Sequence, residues 1–186
     1  MMNKVRRDEV LAVADYMKVR DEFRQSVMAQ KADRRVHLGE HLTFLFENHD
    51  TVLYQIQEMM RAEGITGESG ILHEIETYNE LLGENGELGA TLLIEIDDAA
   101  ERDRLLRRWR NLPGTLYLET ADGDRIPAVF DSRQVDADRL SSVQYVIFPV
   151  GDRVVGKLGT SHPDIDAEVG LTPRQVAALS GDLVGA

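Results

Sequence analysis

Residues 34–63 read RRVHLGEHLTFLFENHDTVLYQIQEMMRAE, and two periodicities lie side by side in them. In Val36-His37-Leu38 apolar and polar positions alternate, as in a strand with one buried face. Gly39-Glu40 supplies a turn. Leu42–Phe46 follows, with Leu42, Phe44 and Phe46 on one face and Leu45 beside Thr43 on the other. Apolar residues on both faces place this strand inside a sheet or under a helix. The period then changes. Val52, Ile56, Met59 and Met60 recur at helical spacing over Thr51–Ala62. Asn48 or Asp50 is available as N-cap and Gly64 as the stop. A hairpin over residues 35–47 that delivers an amphipathic helix is the reading on which the fold rests.

Before this stretch, the pattern predicts a helix over Asp8–Met17 and a second over Val19–Ala32. After it come a helix over Glu68–Leu82 and a strand over Ala90–Ile96 (ATLLIEI). Asp97-Asp98 then caps a basic helix, Ala99–Arg110. Thr115–Glu119 and Ile126–Phe130 form a hairpin across Ala121–Asp124, and Val143–Val150 is a further strand. Beyond Gly151 the signal fades. Arg153–Leu158 fits helix and strand equally, and Gly159–Gly170 reads as loop. A last helix starts at Leu171, with Thr172 as N-cap and Pro173 at its first position. The predicted fold class is α+β: N-terminal helices and a β-hairpin packed on a mostly antiparallel sheet with helices across it. The 186 residues make one domain, with a helical arm (1–33), a core (34–150) and a weakly specified segment (151–186). Phe44, Phe46, Ile56, Met59, Leu92, Ile94, Val146 and Phe148 are its expected core.

Composition narrows the chemistry. The chain has no cysteine, so disulfides, thiolate metal sites and a Cys nucleophile are excluded. No apolar run of about 18 residues exists to span a membrane. The opening MMNKVRRDEV lacks the apolar segment of a signal peptide. The expected setting is the cytoplasm.

The net charge of −12 is unevenly placed. Residues 1–35 carry +3, residues 36–100 carry −13 with Arg61 as their only Lys or Arg, and residues 101–186 carry −2. Nucleic-acid binding, which needs clustered cations, is disfavoured. The acidic middle calls for a cation site, a basic partner or the chain's own basic arm. The expected contacts are Arg34 or Arg35 with Glu47, Glu58, Glu63 or Glu74, within the chain or across a homodimer.

The candidate functional residues fall on and beside the two helices that follow the hairpin. Glu58 and Arg61, three apart, can pair on one face, with Glu47 and His49 at that helix's start. His73, Glu74 and Tyr78 occupy the next helix. If the two helices are antiparallel neighbours, Glu58, Arg61, Glu74 and Tyr78 converge on one concave surface. Imidazole and carboxylate together suit a divalent metal, but no Glu-x-x-His pair exists, which argues against a di-iron carboxylate centre. No motif implies a cofactor. Gln55, Gln57 and Asn79 add amides suited to a polar ligand or to backbone groups. There is no nucleophile-elbow serine and no phosphate-cradling glycine loop. His162 is a lone loop histidine, structural or exposed.

The FEN…T…QIQEM…R.E run of Phe46–Glu63, the Tyr78-Asn79 pair, the EL.AT..IE run of Glu87–Glu95 and the SSVQYV strand occur together and in order. In these the chain resembles a bacterial family called domain of unknown function 3501, over roughly residues 8–150, with a tail after about Phe148 that looks shortened. The resemblance implies no established activity. It implies association with rubrerythrin-like and iron–sulfur oxidoreductase proteins, hence with redox or oxidative-stress metabolism. Two readings stay open: an accessory or interaction protein working with redox enzymes, and a metal- or small-ligand-dependent enzyme centred on Glu58, Glu74 and Tyr78.

Overall fold

A computed structural model describes residues 4–132 and 138–184. The fold is α+β, and the hairpin opens it. β1 (Arg35–Leu38) pairs antiparallel with β2 (Leu42–Phe46), Val36 opposite Phe44 and His37 opposite Thr43. β2 is interior, as its two apolar faces require. Its other edge pairs with β3 (Glu87–Ile94), and β3 pairs in turn with β6 (Val143–Pro149), giving the order β1-β2-β3-β6.

A second antiparallel sheet has the order β5-β4-β7-β8. It is built from β4 (Leu116–Thr120), β5 (Arg125–Pro127), β7 (Val155–Thr160) and β8 (Ala167–Gly170). The inward faces of both sheets share one core with α4 (Ala99–Arg108) and α5 (Pro173–Val184). Phe44, Phe46, Leu92, Ile94, Val146 and Phe148 enter it from the first sheet, and Leu118, Val155 and Leu158 from the second.

Two sheets stand where one was expected, and half of the second comes from residues 151–186. The strand signal in β7 is weak because two of its six residues are glycine. Gly159 sits directly against the Tyr117 ring, where any Cβ would collide. Packing of an aromatic across the strand pair, not strand propensity, selects that residue.

The other helices form a second core. α2 (His49–Glu63) and α3 (Glu68–Asn79) bury Val52, Ile56, Met60, Ile71 and Ile75 against Val5 and Val10 of the N-terminal segment. Met59, expected in the core, is only half-buried, because Ile56, Gln57 and Met60 take the inward positions. The predicted ends of α2 are as read. Asn48 and Thr51 exchange side-chain and backbone hydrogen bonds at 2.9 Å, a cap worth about 1 kcal/mol. Gly64 closes the helix at φ +66°, in the left-handed region that favours glycine.

The N-terminus departs from the two predicted helices. After a short 3-10 turn at Arg7–Glu9, α1 runs unbroken over Val13–Ala32. Leu11 stays outside both helices, its backbone held by the Gln57 amide: the Leu11 N–H donates to Gln57 Oε1 (2.7 Å) and Gln57 Nε2 donates to the Leu11 carbonyl (3.2 Å). Among the described residues no helix is long and apolar enough to cross a membrane.

Candidate functional site

Glu58 faces α1, not α3. Arg20 Nε donates to its Oε1 (2.7 Å) and Arg20 Nη2 to its Oε2 (3.0 Å). The Tyr16 hydroxyl adds a third bond (2.7 Å) and Arg61 Nη2 a fourth (3.0 Å). The Arg20 guanidinium, with Tyr16 and Arg61, outweighs partial burial and holds the carboxyl down at about 2. Burial and the neighbouring carboxylate push the Tyr16 phenol up. Every oxygen of Glu58 is engaged, so this group clamps α1 to α2 and has no spare acceptor for a substrate proton.

Glu47 and His49 are likewise committed. Glu47 is 4% exposed. It accepts from the hydroxyls of Thr51 (2.5 Å) and Thr91 (2.9 Å) and from Gln55 Nε2 (3.2 Å), joining β2, α2 and β3. Hydroxyl and amide donors, rather than a salt bridge, satisfy this buried carboxylate. His49 places Nδ1 at 3.1 Å from Asp50 and Nε2 at 3.2 Å from Glu9. The bond to Asp50 leads in raising its pKa, against burial, with Glu9 adding to it. His73 points outward from α3 and is exposed. Among the described residues no three or more His, Asp or Glu side chains are grouped so as to hold a metal ion.

Arg34 forms none of the expected pairs with Glu47, Glu58, Glu63 or Glu74. It forms a two-bonded pair with Asp182 of α5, both bonds at 2.7 Å. Basic residues of the arm do meet acidic ones of the middle, through different pairs: Lys4–Glu84 (2.9 Å), Arg7–Glu68 (2.8 Å) and Arg20–Glu58. His162 is buried, with its ring between Asn111 and the Asp164 backbone N–H, and is structural.

The remaining candidates, Glu74 and Tyr78, line a cleft of about 440 Å³ between α3 and the first sheet. Glu74, Thr77, Tyr78, Glu80 and Leu81 form one wall, and Tyr145, Val146 and Ile147 of β6 another. Val129 and Phe130 close the end, where Val129 and Ile147 exchange backbone bonds at 2.7 and 2.8 Å. Val129 is 57% exposed and Tyr145 43%. Asp131 also lines the cleft, and among the described residues no Lys, Arg or His does. Burial raises the Tyr78 pKa, and Glu74, Tyr145 and Glu63 raise it further, which places the end of α2 beside this wall. The structure therefore brings Glu74 and Tyr78 together but leaves Glu58 and Arg61 on the α1 side of α2. The expected convergence of all four does not occur, because Arg20 draws Glu58 the other way.

Tyr145 and Val129 were missed as site residues. A signal was present in SSVQYVIF: Val143, Tyr145 and Ile147 give the strand a second apolar stripe on the face opposite Val146 and Phe148.

A solved structure from Burkholderia pseudomallei K96243, described as a novel protein of unknown function, shares this fold with a TM-score of 0.88. It is 30% identical in sequence, over 97% of this chain and 99% of that one. A search of the curated proteins finds no match. The pattern of the family described as "Protein of unknown function (DUF3501)" matches residues 4–183, a span that takes in the segment after Phe148, and the chain belongs to this family.

Proposed function

We propose that this chain is a non-enzymatic accessory protein that holds a segment of a partner protein in the cleft between α3 and the first sheet. The observation that carries this reading is the cleft itself, apolar along its floor and open at Val129 and Tyr145. Exposed apolar surface in a concave setting is the usual mark of a binding surface. Of the residues that would serve an enzyme, two carboxylates are engaged elsewhere, Glu58 with Arg20 and Glu47 with two threonines and a glutamine. The family resemblance adds the class of partner to try first: redox enzymes of the rubrerythrin and iron–sulfur oxidoreductase type.

Site-specific photocrosslinking tests the reading. A benzophenone side chain at Thr77, on the cleft wall, should give an adduct with one defined protein in the native cell. The same group at Asp21, a fully exposed side chain on α1, should not. Equal adducts at the two positions, or none at either, would end this proposal.

A further inference from the structure

We propose that the segment taken by this cleft carries an apolar anchor flanked by Lys or Arg; this rests on the reading of the cleft as a partner-binding surface. The argument begins with unbalanced charge. Residues 62–101 contain no Lys or Arg. The chain's own N-terminal cations neutralise Glu58, Glu68 and Glu84. They do not reach the cleft. Among the described residues, Glu63, Glu74 and Glu80 form no ion pair, and all three lie on or beside its helical wall. A wall of one sign beside a low-dielectric floor concentrates its field on whatever enters.

The floor sets the second requirement. Val129 and Ile147, with the ring of Tyr145, offer mainly apolar contact from their side chains, so an all-polar cation would leave them wet. The volume, about 440 Å³, falls within the range of pockets that enclose a drug-sized body. One or two large apolar side chains fill such a space. Spacing follows from the helix. Glu74 and Glu80 are six residues apart, which is about 9 Å along the axis. Three residues of extended chain span about 10 Å. A segment with its anchor between two cations at that separation meets both carboxylates while the anchor occupies the floor. This is recognition by groove and charge together, a mode in which the cations give specificity and the anchor gives residence.

The test uses three fluorescein-labelled ten-residue peptides that share a Leu-Phe anchor and differ only in flanks of Lys, Gln or Glu. Each is titrated against the full-length protein by fluorescence polarisation. The Lys peptide should bind about five- to tenfold more tightly than the Gln peptide, the sum of two exposed ion pairs. That advantage should shrink with added salt and fall in the Glu74→Gln/Glu80→Gln variant, whose fold is checked by circular dichroism. Lys and Gln peptides binding equally would overturn the basic-segment proposal while leaving the cleft as a binding surface. Failure of all three to bind would overturn both. A Lys-peptide preference undiminished in the double variant, or Lys-peptide binding unweakened when Tyr145→Ser removes the aromatic ring from the floor, would place the binding elsewhere and overturn the proposal too.

Discussion

Arg20 of α1 and Glu58 of α2 meet in a two-bonded ion pair, 2.7 and 3.0 Å, with Tyr16 and Arg61 completing the shell around the carboxylate. α1 buries only Tyr16 and Val27 of its 20 residues. Its attachment therefore depends on such polar contacts more than a typical amphipathic helix does.

Glu58→Gln should lower stability at neutral pH without unfolding the chain. The carboxyl sits at about 2 against an ordinary 4.5. A folded-state pKa below the unfolded one contributes stability that is present above the unfolded value and is lost as pH falls through the folded value. Allowing for solvent screening, the contribution is about 1–2 kcal/mol. Urea midpoints should differ between wild type and variant at pH 7 and converge toward pH 2. Equal midpoints at pH 7 would show that the clamp contributes nothing.

His49 gives the opposite sign. Its bond to Asp50, with Glu9 on the other ring nitrogen, raises its pKa above 6.5 despite partial burial. A raised folded pKa gives stability that is fully present below the unfolded value and disappears as pH rises through the folded one. Glu9 belongs to the N-terminal 3-10 turn, so this is where the loss should show. Amide exchange over residues 5–10 is expected to quicken above neutral pH, beyond its intrinsic base catalysis, and Glu9→Gln should remove that extra dependence. An NMR titration that places the His49 imidazole at or below 6.5 would sink the idea.

How much of this was legible in the sequence depends on how local each interaction is. The β1–β2 hairpin and the limits of α2 could be read because their determinants lie within a few residues: the alternation of Leu42, Phe44 and Phe46, the Asn48–Thr51 cap, and Gly64. The Thr172 cap of α5 was legible for the same reason, its Oγ1 accepting from the Gln175 N–H at 3.2 Å. The partner of Glu58 lies 38 residues away on a helix whose register against α2 no local pattern fixes. The cleft was half legible. Glu74 and Tyr78 share one face of α3, whereas Val129 and Tyr145 reach it only through the pairing of β6 with β3. β7 was lost because Gly159 answers to the Tyr117 ring beside it, a tertiary demand that overrides strand propensity.

Phe46 should be among the most costly core residues to truncate. It is fully buried on the interior strand β2, and its ring lies 6.1 Å from that of Phe148. Phe46→Ala removes the transfer energy of the ring and leaves a cavity, about 3–5 kcal/mol in all. Chemical denaturation with an unchanged m value is the measurement. A loss below about 1 kcal/mol would mean that this end of the sheet does not pack as described.

The last prediction concerns how the C-terminal helix is held. Arg34, at the end of the arm, and Asp182, on α5, are 148 residues apart in sequence. Their side chains are only 11% and 15% exposed. The pair is two-bonded, and Arg34 Nη1 also donates to the Gln30 carbonyl at 3.1 Å. Removing one partner of a largely buried pair leaves the other charge desolvated and unopposed, which is costlier than removing both. Arg34→Met and Asp182→Leu should each destabilise by about 2–4 kcal/mol. The double variant should lose less than the sum, by at least about 1 kcal/mol. In the single variants α5 should also become the first site of proteolysis, because Leu179 is its only buried residue and its other polar ties to this region, Arg174–Asp33 and Gln175 to the Arg35 carbonyl, are exposed and lie at its first turn. Simple additivity in the double-mutant cycle would show that Arg34 and Asp182 do not act as a pair in holding α5.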